Sequence, residues 1–545
     1  MNSPIIFSHA CFDWPDGSLA LSDLTVTFST GRTGLVGDNG SGKTTILRLI
    51  AGQLTPTRGH IDVHGDIAYL PQMVISQPGS TLADLLGVSP KLAALRAIEA
   101  GSVDTKLFDL VGDDWNIRER ATQVLHELGG VGGGLADAGL DREATTLSGG
   151  EAMVVAVAGC RLRDAPITML DEPTNNLDQV LRQAVVEMVR TWPGTVLVVS
   201  HDRDLLESMD AIAEARDHQV TIFGGPYSQF VEAVSREQAA AVQAEKTAEQ
   251  ALRVARHQRV VAFERTAKNL ARGKQKAIKE GMGKGSRDAM RGIAEDGAGR
   301  TRGAVAARVD QAETELTQAA GRVRQSDRIR IDLPDPEVHA SKTLAEFRCG
   351  TDGQFILRGP ARVALTGRNG VGKTTMLEQL MSTLGRSQPS GGWAGRIGPV
   401  IGTLMTDRVG YLPQRYDLID DAANAIQVIS EVAPQATSSE IRAQLARLLI
   451  RGDTVFRPVS TLSGGERFRV GLARLLLGTP PPQLLILDEP TNNIDLTSVD
   501  QLVDALESYR GAILIVSHHS EFLSRVGVTT ELELTGHGLS VHPLT

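Results

Sequence analysis

At 545 residues the chain is too long for one hydrophobic core, and its 41% hydrophobic, 22% charged composition is that of a globular protein with two or more domains. No apolar run approaches the roughly 20 residues that cross a bilayer, Met1–Phe7 has no secretory pattern, and Cys11, Cys160 and Cys349 are too scattered for a metal framework, so a reducing cytosol is expected. The net charge of −9 hides a basic stretch: Arg265 to Arg308 holds 12 Lys+Arg against 4 Asp+Glu, a local +8 on a body of −17.

In chain order, the first motif is an apolar strand (Gly34, Leu35, Val36), then GDNGSGKTT (Gly37–Thr45), then a helix to Ile50. That order is a phosphate loop. Gly37, Gly40 and Gly42 let backbone N–H groups, Asn39 among them, curl around β- and γ-phosphates at a helix N-terminus. Lys43 is expected to bridge those phosphates, with Thr44 on Mg²⁺ and Thr45 beside it. Tyr-Leu-Pro-Gln (Tyr69–Gln72) closes a short strand, and 74 residues, read as mostly helical, separate it from LSGGE (Leu147–Glu151). Ser148, Gly149 and Gly150 open a helix whose positive end suits an anion. The strand in ITMLDEPTNNLD (Ile167–Asp178) ends at Asp171, placed to hold Mg²⁺, and Glu172, placed to polarise water as a general base. VLVVSHD (Val196–Asp202) ends the first unit with His201.

The central segment follows. Phe230, Val234, Ala241, Ala244, Ala248, Ala251 and Ala255 step by three and four, with Glu237 the one break; Val305, Val309, Ala312, Leu316, Ala319 and Val323 repeat the step. Two such stripes predict an antiparallel helical hairpin. Gly273, Gly281, Gly283, Gly285 and Gly292 predict a tip with local freedom. Lys274, Lys276, Lys279, Lys284, Arg287 and Arg291 crowd that tip and fit RNA phosphates bound by shape and charge.

The motifs then recur in the same order: GRNGVGKTT (Gly367–Thr375), YLPQ (Tyr411–Gln414), LSGGE (Leu462–Glu466), LLILDEPTNNID (Leu484–Asp495) and ILIVSHH (Ile513–His519). Five motifs repeated in one order establish a duplication. Gly367, Asn369, Gly370, Gly372, Lys373, Thr374 and Thr375 match the first phosphate loop, Ser463, Gly464 and Gly465 the helix opening, and Asp488, Glu489 and His518 the acidic and histidine positions. The fold class expected is α/β: two phosphate-loop domains, residues 1–226 and 333–545, joined by a helical hairpin over 227–332.

These motifs resemble the ATP-binding cassette superfamily, and the twin-cassette layout with a charged linker resembles its ABC-F branch of translation and antibiotic-resistance factors. The resemblance covers both cassettes nearly end to end and is weaker in the linker. It implies that Trp14 stacks on adenine, with Phe347 a poor counterpart in cassette two, and that Gln72 and Gln414 touch Mg²⁺ or the attacking water. It implies that Ser148 and Gly150 complete the site on Lys373, Ser463 and Gly465 the site on Lys43, and that His201 and His518 bond the γ-phosphate. Asn175, Asn176, Asp178, Asn492, Asn493 and Asp495 are then expected at the seam. The signature helices differ: ERFRVGLAR (Glu466–Arg474) is basic, whereas EAMVVAVAG (Glu151–Gly159) is not. The expected reaction is ATP hydrolysis with Mg²⁺, and the expected partner is the ribosome, its rRNA and tRNA, met by a monomer in the cytosol. Its output would be ribosome protection against antibiotics or regulation of translation. The rival readings are an energising subunit for a separate membrane transporter and a DNA-remodelling ATPase.

Overall fold

The structure is a computed structural model that describes residues 3–72, 79–128, 139–279, 284–323, 333–349, 353–384, 400–414, 420–492 and 494–544, with backbone alone at 270, 273–279 and 284–298. Cassette one contributes β1 (Ile5–Asp13), β2 (Leu19–Phe28), β3 (Gly31–Val36), β4 (Arg58–Val63), β5 (Ile67–Leu70), β6 (Ile167–Asp171), β7 (Thr195–Val199), β8 (Ala211–Arg216) and β9 (Gln219–Gly224). Cassette two contributes β10 (Thr343–Cys349), β11 (Gly353–Arg358), β12 (Arg362–Thr366), β13 (Val400–Leu404), β14 (Val409–Leu412), β15 (Leu484–Asp488), β16 (Ala512–Val516), β17 (Thr530–Thr535) and β18 (Gly538–Pro543).

Each cassette has a six-stranded sheet, ordered β5-β6-β7-β3-β8-β9 and β14-β15-β16-β12-β17-β18, parallel except at its last strand. A three-stranded antiparallel sheet accompanies each, β2-β1-β4 and β11-β10-β13. β6, β7, β15 and β16 are buried at every position, and such unbroken apolar strands need cover on both faces of a parallel sheet. In cassette one, the helix Lys43–Ile50 supplies part of that cover with Ile46, Leu47, Leu49 and Ile50, and the antiparallel sheet adds Phe7 edge-on to Phe28. Parallel strands deliver their C-terminal ends to one edge. That edge receives the loops after β3, β6 and β7, and after β12, β15 and β16, which carry the phosphate loops, the paired acids and the histidines.

The longer helical region of cassette one contains helices Ser89–Glu99, Thr105–Val111 and Ile117–Leu128, against Ala425–Val432 and Ser438–Arg447 in cassette two. The two signature helices also differ in their cover. Gly149–Leu162 is buried at nearly every position from Gly150 onward, and the helical region packs on it, with Arg120 donating to the Leu162 carbonyl at 2.9 Å. A Cβ at Gly159 would come within 2.7 Å of the Leu86 backbone, so the Arg of the matching position, Arg474, has no room there. In cassette two Arg467 instead reaches Asp421 at 2.5 Å and Arg474 lies 3.8 Å from Glu431.

The two cassettes form one compact unit, and residues 228–327 form a second. The second consists of most of helix Tyr227–Lys279, which at 53 residues is about 80 Å long, and of helix Lys284–Arg322. Leu252, Ala255, Val309 and Ala312 are buried together with Leu316 against them, and Arg256 pairs with Glu313 at 2.9 Å. The return stripe is as expected, but the outgoing one is shifted: Ala244 and Ala251 are exposed, while Leu252 is buried and Glu245 half-buried. The register that buries a leucine removes more apolar surface from water than one that buries an alanine. Gly273, Gly285 and Gly292 lie within helices, and Gly281 and Gly283 fall outside the described residues. A cost near 1 kcal/mol per helical glycine is readily outweighed by long flanking helices. The side chains of Lys274, Lys276, Lys279, Lys284, Arg287 and Arg291 lie outside those described.

Candidate functional site

Each phosphate loop is shaped by its glycines. Gly37 has φ +150° and Gly367 φ +137°, and a Cβ there would fall 2.3 Å from the carbonyl oxygen of Ala215 or Leu534. Only glycine lets the loop cross the neighbouring strand so closely. Lys43 Nζ donates to the carbonyls of Gly37 (2.7 Å) and Asp38 (3.0 Å), and Lys373 Nζ to those of Gly367 (2.6 Å) and Arg368 (3.3 Å). Both amines are buried, which lowers their pKa against the pull of surrounding carboxylates.

Asp171 and Asp488 end their strands almost wholly buried. Asp171 accepts from Thr44 Oγ1 at 3.1 Å. Both oxygens of Asp488 lack a hydrogen-bond partner, and burial raises its pKa although Thr374 and Lys373 pull it down. A buried orphan carboxylate beside a threonine hydroxyl is a donor set that fits a hard divalent cation such as Mg²⁺. Gln72 and Gln414 are exposed just past β5 and β14, and both border the cleft at the second phosphate loop.

Glu172 (φ +53°) and Glu489 (φ +48°) follow in left-handed backbone, each donating its N–H to the adjacent strand, Val199 at 2.8 Å and Val516 at 2.9 Å. A non-glycine residue held there twice, at matching positions, is strain concentrated at a functional turn. His201 Nε2 lies 3.2 Å from Glu172 Oε1, and His518 Nε2 lies 3.4 Å from Glu489 Oε1. Burial pushes both glutamates up to about 8 and the histidines down to about 3 and about 4. The sites are not identical: Lys373 Nζ also lies 3.0 Å from His518 Nε2, which must then accept its proton.

Ser148 and Ser463 cap their helices through capping boxes with Glu151 and Glu466. Both helix starts face the other cassette. A Cβ on Gly150 would lie 3.7 Å from Asn369 Nδ2, and one on Gly464 would lie 3.6 Å from Asn39 Nδ2. The seam is joined on both sides. Asn39 N donates to Asp495 at 2.9 Å, Asn369 N to Asp178 at 3.3 Å, Asn369 Nδ2 to the Asn176 carbonyl at 2.9 Å, and Asn492 Nδ2 to Asn176 Oδ1 at 2.9 Å. Asn493 lies outside the described residues. A cleft of about 500 Å³ is bordered by Ser148, Gly149, Gly150, Lys373, Thr374, Thr375, Gln414, Asp488, Glu489 and His518, so one cassette's signature and the other's phosphate loop share one space.

Trp14 is half-buried in the β1–β2 turn, edge-on to Phe12 with ring centroids 5.1 Å apart. Phe347 is 1% exposed within the cassette-two core, so it cannot stack on a base. Three contacts went unread in the sequence: Thr497 Oγ1 to Asp38 (2.8 Å), Arg182 to Asp202 (2.6 Å) and Arg203 to Asp500 (2.8 Å). The last two leave a trace in that Asp202-Arg203-Asp204 matches His519-Ser520-Glu521 imperfectly.

Among the described residues no helix is long and apolar enough to cross a membrane. A profile described as ABC transporter matches residues 21–175 and 352–492. ATP-binding cassette sub-family F member 3 of Rattus norvegicus is 30% identical over 532 residues, covering 93% of this chain and 68% of that one. The tylosin resistance ATP-binding protein TlrC of Streptomyces fradiae is 28% identical over 539 residues, covering 94% of each. Among solved structures, the chain titled as archaeal ribosome recycling factor aABCE1, in complex with an archaeal ribosomal stalk protein, aligns with TM-score 0.53 at 19% identity, covering 96% of this chain and 87% of that one. The last likeness shows the fold alone. With the cassette profile matched twice and a sub-family F relative aligned over nearly the whole chain, this protein belongs to the ABC-F branch of the ATP-binding cassette family, whose cassettes bind and hydrolyse ATP.

Proposed function

We propose that the protein is a cytosolic, monomeric ABC-F ATPase that binds the ribosome with its cassettes closed on ATP, places its hairpin near tRNA and the peptidyl-transferase region, and is released by hydrolysis. The observation that carries this reading is the reciprocal seam, where each phosphate loop meets the other cassette's signature helix within one chain. In each site Lys43 or Lys373 and the glycine-rich N–H groups bind β- and γ-phosphates, and Ser148 with Gly150, or Ser463 with Gly465, bonds the γ-phosphate from across the seam. Trp14 packs against adenine in the first site. Thr44, Asp171 and Gln72, or Thr374, Asp488 and Gln414, hold Mg²⁺, which offsets phosphate charge. Glu172 or Glu489 takes a proton from the attacking water while His201 or His518 bonds the γ-phosphate, giving in-line transfer to water. The output is ribosome protection against antibiotics or regulation of translation, and the printed name of the tylosin resistance protein TlrC supports the first.

The test is cosedimentation of a Glu172→Gln, Glu489→Gln protein with ribosomes. ATP-dependent retention that falls with salt is expected, and glutamine at Lys274, Lys276, Lys279 and Lys284 should abolish it. A folded, ATP-bound protein that never pellets with ribosomes refutes the reading and favours a membrane partner.

A further inference from the structure

Arg203 opens the short helix Arg203–Glu207, two residues after His201, and its side chain is 24% exposed. Its guanidinium leaves its own cassette: it donates to Asp500 at 2.8 Å and to Glu521, both in cassette two. The same group lies over the Tyr227 ring, 5.9 Å from its centroid. Tyr227 is the first residue of the long helix Tyr227–Lys279. Asp500 also accepts from Arg525 at 2.6 Å, and it sits on helix Leu496–Ser508, whose N-cap Asp495 accepts from Asn39 of the first phosphate loop. One planar cation therefore contacts the cassette-two helix that braces the Lys43 site, a second cassette-two acid, and the aromatic ring at the start of the linker.

The link exists on one side of the pseudo-twofold only. Ser520 occupies the cassette-two position that matches Arg203, and Gln183 the cassette-one position that matches Asp500. Neither can form an ion pair, and the reciprocal side uses its charge inward, Arg182 binding Asp202 and Asp204 within cassette one. A guanidinium held by two carboxylates keeps its plane fixed, which lets its face serve an aromatic ring; with the carboxylates withdrawn it turns into water.

We propose that Arg203 is a positioning residue that couples closure at the Lys43 site to the root of the linker helix. The closed seam anchors the guanidinium on Asp500 and Glu521, the guanidinium supports Tyr227, and separation of the cassettes withdraws that support. This rests on the ATP-driven closure proposed above and not on ribosome binding.

Hydrogen exchange on the ribosome-free Glu172→Gln, Glu489→Gln protein, with and without ATP and Mg²⁺, tests it. ATP is expected to slow exchange both at Asn39 and in the first two turns of the helix, Ser228 to Val234. Arg203→Ala should remove about tenfold of the slowing at the helix root, Arg203→Lys should restore part of it, and Tyr227→Leu should remove it while leaving Asn39 as protected as before. Asp500→Asn should act as Arg203→Ala does, and it carries the test if the latter fails to fold. ATP protection at Ser228 to Val234 that survives Tyr227→Leu and either seam variant overturns the proposal alone. Absence of any ATP effect at Asn39 in the parent protein overturns the closure reading and this proposal together.

Discussion

Glu172 and Glu489 show how burial tunes a residue for work. A carboxyl held near 8 stays protonated over much of the neutral range, so hydrolysis is expected to rise with pH from 6 toward 8, as a base should. Glutamine at both positions should cut turnover by about 100-fold or more while nucleotide binding persists. Stability should show the same groups with the opposite slope. Between the unfolded value of 4.5 and about 8 the folded state binds more protons than the unfolded one, so raised pH costs stability through that window. The double glutamine protein, having no such charge, should therefore melt at a higher temperature than the parent at pH 8, and the gain should vanish toward pH 4.5. Equal melting of the two proteins at pH 8 would show that the glutamates are not desolvated.

At the scale of the element, the two signature helices share a cap and differ in their cover. The Arg474 side chain is accommodated half-buried, 3.8 Å from Glu431, whereas Gly159 lies against the Leu86 backbone. Gly159→Arg is thus expected to destabilise cassette one by more than about 1–3 kcal/mol, since backbone rather than a movable side chain opposes the new atoms. Thermal melts would register it, while Arg474→Gly should cost far less. The absence of an arginine at Gly159 is a packing consequence of the Leu86 backbone lying against it, which a comparison of two nine-residue strings does not disclose. The hairpin teaches the same lesson: alternating steps of three and four can start on Ala244 or on Glu245, and only the partner helix, with Val309 and Ala312, selects the face that includes Leu252.

For the whole molecule, the seam makes each ATP site the product of two cassettes. Asp495 bonds both its own helix, through Ser498 N at 2.8 Å, and Asn39 across the seam. Asparagine caps helices as well as aspartate but offers one acceptor oxygen in place of two, so Asp495→Asn should spare folding and weaken the seam. A roughly tenfold fall in hydrolysis with unchanged melting is expected; unchanged hydrolysis would show that the contact does not matter for closure. The duplication, the phosphate loops, the paired acids and the α/β class were legible in the sequence because each rests on short-range chemistry: a strand, a glycine turn and a helix contiguous in the chain. The pairing of Arg203 with Asp500 and Glu521, of Asp38 with Thr497, and the burial of Phe347 were not, because these contacts join residues far apart in sequence or depend on which strand face meets a core. Local pattern thus determined which groups handle phosphate, and only the packing of one cassette against the other decided which distant charges those groups meet.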